Sequence, residues 1–135
     1  MNTAIEMHDS VCLAVELDGC GRGSVLLDAY VHRTEGKTGR AAGEGGVQRI
    51  RVSVEGMTVD GEVRDLPANI YQGSFTIGES TQDNIVPFPA TYSESISLSM
   101  ILSDDARVVT VSGRRAALEA EGEFRFVELV DFSGC

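Results

Sequence analysis

Proline is scarce in this chain: three of its 135 residues are prolines, while 42% of the residues are hydrophobic. A composition so poor in proline and so rich in apolar residues is not typical of intrinsic disorder. A chain of this length can build one hydrophobic core. We therefore expect a single domain over residues 1–135.

Long apolar runs are also missing, and no window approaches the ~18 continuous apolar residues of a transmembrane helix. The N-terminal sequence MNTAIEMHDSVCLAVELDG carries acids where a secretory signal needs basic residues and then an apolar run. We expect a cytoplasmic protein without a membrane partner.

Basic residues are outnumbered: 11 Lys and Arg stand against 21 Asp and Glu, so the net charge is −10. Proteins bind phosphate backbones by neutralising them with Lys and Arg, which makes a chain this acidic a poor nucleic-acid binder. The excess of one sign is expected to keep the domain soluble.

Metal-binding residues are few and scattered. Cys12, Cys20 and Cys135 show no paired spacing, and His8 and His32 are far apart. Metal sites in proteins usually show Cys-x-x-Cys or clustered Cys and His. We expect no metal and no cofactor, a buried or half-buried Cys12, an exposed Cys135, and a His8 that lies in a frayed N-terminus.

Helical spacing is almost absent, and apolar residues instead alternate with polar ones, as in half-buried strands. The expected inward faces are Val11, Leu13, Val15 and Leu17; Val25, Leu27, Ala29 and Val31; Ile50, Val52 and Val54; and Ile96, Leu98, Met100 and Leu102. Turn residues separate these runs at Asp60-Gly61, Asp104-Asp105 and Glu121-Gly122. The pattern predicts an all-β fold, an antiparallel β-sandwich or flattened barrel of about seven to nine strands with little or no helix.

Two hairpin registers follow from the apolar faces. A two-residue loop at Asp104-Asp105 sets Met100 opposite Val109. A three-residue loop further along sets Leu118 opposite Phe126. The side of the chain that carries apolar residues changes near Gly113, which requires either a β-bulge or the start of a new strand.

The stretch DAYVHRTEGKTGRAAGEGG, residues 28–46, resembles a phosphate loop only at Gly36-Lys37-Thr38. Val31 occupies the position of the first Walker A glycine, and a strand follows where a helix is needed, so this function is excluded. The glycine-rich loop over residues 34–46 is expected to be either a mobile hairpin tip or a lid over a ligand.

The strands that flank this loop predict a polar patch. If Val31 lies opposite Ile50, one solvent-facing cluster contains Asp28, Tyr30, His32, Arg49 and Arg51. Such a cluster would bind a small anionic or polyhydroxyl ligand through its arginines, with tyrosine as a stacking surface. The alternative is an ordinary solvated sheet face held by weak charge pairs.

Enzymatic activity stays uncertain on the sequence alone. His32 is the better of the two histidines as a general base, but no nucleophile elbow such as Gly-x-Ser-x-Gly accompanies it. General acid–base catalysis needs groups positioned in a concave pocket, which a sequence does not reveal.

The segment from residue 78 to 95 breaks the alternation because Pro87 and Pro89 exclude a central strand. Its apolar residues are Ile85, Val86, Phe88 and Tyr92. They either fold over an open end of the sandwich or form an interface with a subunit or partner.

The leading hypothesis is a non-enzymatic binding or assembly module, such as a homo-oligomer that uses residues 85–92 or an edge strand. The alternatives are a small-ligand binding protein with the 34–46 loop as lid and an enzyme with His32 as general base.

Overall fold

A computed structural model describes residues 1–103 and 106–131, and within these ranges every regular element is a β-strand. The strands are β1 (Asn2–Leu17), β2 (Arg22–Thr34), β3 (Gly43–Glu55), β4 (Thr58–Asp60), β5 (Ala68–Ile77), β6 (Ser80–Asp83), β7 (Ile85–Pro87), β8 (Ala90–Tyr92), β9 (Ile96–Leu102), β10 (Val108–Gly113), β11 (Arg115–Ala120) and β12 (Arg125–Val130). The expected all-β class is confirmed.

The strands form one antiparallel sheet that curls into a half-barrel in the order β4-β10-β9-β5-β1-β2-β3-β11-β8. Three further strands lie off this path: β6 pairs with β5, β7 with β1 and β12 with β3. The described ranges contain no helix, and therefore no helix there that is long and apolar enough to cross a membrane.

The core follows the alternation of the sequence in most strands. The expected inward faces of β2, β3 and β9 are buried, from Val25 in β2 to Leu102 in β9. Each such aliphatic side chain contributes about 1.5–3 kcal/mol by leaving water. In β1 the predicted face is wrong at its end, because Leu17 is exposed while Cys12 is buried. A register shift between Cys12 and Ala14 changes the inward positions from Cys12 before it to Val15 after it, and Leu17 is the last residue of the strand.

The hairpin of β9 and β10 has the expected register: Met100 pairs with Val109. The turn residues 104–105 lie outside the described residues, as does Cys135. Near Gly113 the chain begins a new strand, since β10 pairs with β9 while β11 pairs with β3 and β8. Of the two alternatives for this region, a new strand is the one observed.

The expected register of β2 and β3 is wrong by four residues. Val31 lies opposite Gly46 and not opposite Ile50. A shift by an even number keeps every side chain on its face, so the apolar pattern is satisfied equally by both registers. The connecting loop is consequently shorter than expected, covering residues 35–42, and Gly43, Gly45 and Gly46 belong to β3.

The expected pairing of Leu118 with Phe126 is also wrong, because β11 and β12 do not form a hairpin. Both strands pair with β3 in succession, β11 with its second half and β12 with its first. Between them, the backbone N–H groups of Glu121 and Gly122 donate to the carbonyl of Arg49. The chain therefore continues along the same edge of β3 and does not turn back.

Candidate functional site

The five residues of the predicted polar patch are separated into different environments. Asp28 lies directly across from Arg49, and Arg49 Nε is 3.2 Å from Asp28 Oδ1. Arg51 instead donates to Glu121 at 2.8 Å and to Ser24 Oγ at 2.8 Å. The two arginines are thus engaged by separate carboxylates, and the structure does not bring all five side chains together.

His32 is fully buried, with 0% of its surface exposed. The backbone N–H of Gly39 donates to His32 Nδ1 at 2.9 Å, and burial lowers the pKa of the ring. The loop 35–42 covers this face, with Asn2 Nδ2 donating to the carbonyl of Gly36 and Thr34 Oγ1 to that of Ala42. A neutral, covered ring of this kind anchors the loop to β2.

Tyr30, two residues before His32 on β2, reaches across β3, and its hydroxyl donates to Glu128 Oε1 of β12 at 2.6 Å. Burial, followed by this hydrogen bond to a carboxylate, holds the pKa of Tyr30 above its ordinary range. The hydroxyl passes directly over Gly45 in β3, where a Cβ atom would collide with it. The glycine of the intervening strand therefore allows β2 to reach β12.

Of the predicted interface residues, Val86 and Phe88 are buried in the core of the chain itself, at 1% and 6% exposure. Ile85 is half-buried against Gly39, and the Tyr92 ring lies 5.7 Å from that of Phe75. Most of this apolar surface is therefore covered within the monomer, as expected if the segment folds over an open end of the sheet.

A different apolar surface is exposed on β12. Phe126, Val127 and Leu129 are 55%, 55% and 79% exposed. Within the described ranges, β3 is the strand that pairs with β12, so one backbone edge of β12 faces outward. The sequence pattern did not single out this strand, because its apolar residues had been assigned to a buried hairpin.

The pairing partner of β12 explains the exposure of Phe126, whereas Leu129 lies opposite Glu44 of β3. Phe126, Glu128 and Val130 lie opposite three glycines of β3, Gly46, Gly45 and Gly43 respectively. Cross-strand side-chain contacts are the usual source of sheet stabilisation, and glycine offers none. Phe124, just before the strand, contacts β2, since the Arg33 guanidinium lies 4.3 Å from its ring centre.

A second cluster that the sequence did not suggest lies on β1. Glu6, His8 and Asp9 place their ligand-type atoms within 4.8 Å of one another on the surface. His8 lies in the middle of a 16-residue strand, so the expected frayed terminus is wrong. The adjacency of His8 and Asp9 is the signal that the sequence offers, but the expectation of a frayed terminus does not lead from it to a site.

Comparison of this chain with protein-family models, with curated proteins and with solved structures found no match.

Proposed function

We propose that this protein is a non-enzymatic assembly module that forms a homodimer by pairing β12 of one copy with β12 of a second copy. The observation that carries this proposal is the free edge of β12 with three exposed apolar side chains. An unpaired strand edge is a template for further strand addition, and proteins generally cover or blunt it. Within the described residues no strand covers this edge of β12, although an irregularity between Phe126 and Glu128 interrupts its pairing with β3.

A second copy is the partner that fits this edge best. A two-fold axis through the sheet would join the same strand from both copies, so one surface supplies both sides of the interface. Within β12, Arg125 stands at the start and Glu128 near the end. Antiparallel pairing brings opposite ends together and thereby places unlike charges near each other, which favours this orientation.

The total charge of the chain leads to a test that separates self-association from binding to a basic partner. Two copies with a net charge of −10 each repel one another at low salt. Added salt screens that repulsion, so homodimerisation should strengthen with salt concentration. Binding of a basic protein should weaken under the same conditions.

The first experiment measures molar mass by sedimentation over a range of protein concentrations. We expect a dimer in the wild type and a monomer in Leu129→Lys, because a lysine within the interface would bury a charge. Leu17→Lys is the matched control, since Leu17 is 58% exposed at the end of β1 and away from the proposed interface. This control variant should dimerise like the wild type.

A wild type that stays monomeric up to about 1 mM would overturn the proposal, since binding weaker than this corresponds to less than about 4 kcal/mol. A dimer that Leu129→Lys leaves intact would overturn it too.

The cytoplasmic location stays a prediction, which cell fractionation would test. The ligand-binding and enzymatic alternatives gain no support from the positions of Arg51 and His32.

A further inference from the structure

The surface cluster on β1 is created by a large bulge. Pairing of β1 with β2 is interrupted between Glu6 and Val11, where four residues stand opposite Ala29 alone. Within the bulge, Ser10 is buried and its hydroxyl donates to the carbonyl of Glu6 while accepting from the N–H of Tyr30. Bulges redirect side chains away from the alternation of a strand. As a result Glu6, His8 and Asp9 converge, although in a regular strand Asp9 would point to the face opposite Glu6 and His8.

Asn84, between β6 and β7, holds the bulge from outside the cluster. Its side-chain oxygen accepts the backbone N–H of His8 at 2.8 Å, and its backbone carbonyl accepts that of Met7 at 2.8 Å. The same side-chain oxygen is 2.9 Å from His8 Nδ1. Because this oxygen already accepts a backbone N–H, it is an acceptor for the ring too, and Nδ1 must carry a proton. The ring is therefore fixed with Nε2 facing the carboxylates.

His8 Nε2 lies 3.1 Å from Asp9 Oδ2. Two acceptor atoms at this distance require a cation between them, either a proton or a metal ion. Zinc–nitrogen and zinc–oxygen bonds of about 2.1 Å in a tetrahedral site place neighbouring ligand atoms roughly 3.4 Å apart. The observed separation is close to that value, and the remaining ligand atoms of the cluster lie within 4.8 Å.

The charge around the cluster also favours a cation. The carboxylates of Glu6, Asp9 and Glu128 line the same surface pocket. Carboxylates that are crowded in this way are stabilised by a bound cation. The side chains of His8 and Asp9 are 48% and 51% exposed, which leaves room for water at the remaining coordination positions.

We propose that Glu6, His8 Nε2 and Asp9 bind one divalent transition-metal ion of the zinc class, with Asn84 orienting the imidazole. Imidazole is a ligand for zinc, copper, iron and nickel, whereas magnesium and calcium prefer oxygen ligands alone. Orientation of a ligating histidine by a second hydrogen-bonding group is usual in metal sites. The site adjoins the proposed dimer surface, because Glu6 and Asp9 line the same surface pocket as Leu129 of β12.

The test is a calorimetric titration with Zn²⁺ alone, performed in a Cys20→Ser/Cys135→Ser background so that thiols do not compete. We expect one ion per chain, binding that excess Mg²⁺ does not displace, and a loss of affinity of at least about 10-fold in Asn84→Ala, the range found for groups that orient ligands. His8→Ala should lose more, because it removes a ligand.

Glu79→Gln is the matched control, because it removes an exposed acid from the turn between β5 and β6 and leaves the cluster intact. Circular dichroism of each variant verifies that the strands persist. Unchanged Zn²⁺ affinity in folded His8→Ala overturns the site, since adsorption to the acidic surface would then account for the binding. Absence of binding in the parent protein overturns it as well.

Discussion

The segment around β7 and the strand β12 are both short and apolar, and each pairs with the central part of the sheet, β7 with β1 and β12 with β3. Their side chains nevertheless differ in burial. Val86 and Phe88 are buried, whereas Phe126 and Leu129 are more than half exposed. Apolar composition therefore does not decide which of the two segments joins the core.

The difference lies in the strands that they meet. Beside β7, Ile5 and Met7 of β1 are almost fully buried and belong to the same apolar cluster as Val86. Beside β12, the first part of β3 offers glycines, and the space above Gly45 is occupied by the Tyr30 hydroxyl. A segment is covered when its neighbours supply side chains to pack against. The segment around β7 consequently contributes to the stability of the core, whereas β12 presents its apolar side chains at the surface.

The largest difference between the two segments is expected when the same polar residue is placed in each of them. Phe88→Ser removes a ring that is 6% exposed, and we expect a loss of at least about 3–5 kcal/mol in the free energy of unfolding, as for Phe→Ala in protein cores. Phe126→Ser, the matched change at 55% exposure, should alter it by no more than about 0.5 kcal/mol. Urea unfolding at a concentration where the protein is monomeric measures both; similar losses would show that the two segments are not different.

A second prediction concerns the covered face next to β7, where the loop 35–42 closes over His32. His32→Ala leaves the N–H of Gly39 without its acceptor, so we expect a loss of about 1–3 kcal/mol at pH 7.5. His8→Ala is the control, because this ring is about half exposed and should cost less. Thermal and urea unfolding measure the difference, and an equal cost at both sites would contradict the anchoring role of His32.

The same histidine predicts a pH dependence. Burial lowers the pKa of His32 in the folded protein below its ordinary value of 6.5, so the unfolded chain binds the proton more tightly. The contribution of the neutral ring is complete above pH 6.5 and is lost as the pH falls towards the folded-state pKa. The stability difference between wild type and His32→Ala should therefore narrow between pH 7.5 and about 5. A stability difference between the two proteins that stays constant over this pH range would contradict the lowered pKa of His32.

The smallest effect is expected at the side-chain hydrogen bond between Tyr30 of β2 and Glu128 of β12. Tyr30→Phe removes the donor to Glu128, and we expect a loss of about 0.5–1.5 kcal/mol. Tyr71→Phe is the matched control, because Tyr71 is 68% exposed, and it should leave stability unchanged. Hydrogen exchange of the β12 amides should also accelerate in Tyr30→Phe alone. No change in either measurement would mean that β12 is held without this contact.

The alternation of apolar residues by itself determined the fold class, the buried faces of β2, β3 and β9, and the register of the β9–β10 hairpin. These features depend on neighbouring residues in the sequence and on the two-residue period of a strand. Registers that differ by an even number of residues keep the same apolar face, so the pattern could not separate Val31 opposite Gly46 from Val31 opposite Ile50.

Only the tertiary structure decided which polar residues meet. The burial of His32 depends on a loop that folds back over it, and the convergence of Glu6, His8 and Asp9 depends on a bulge held by Asn84, which is 76 residues from His8 along the chain. The exposure of Phe126 depends on the glycine that β3 places opposite it. Each of these outcomes is set by contacts between residues distant in sequence, and a local pattern of polar and apolar residues carries no information about such contacts.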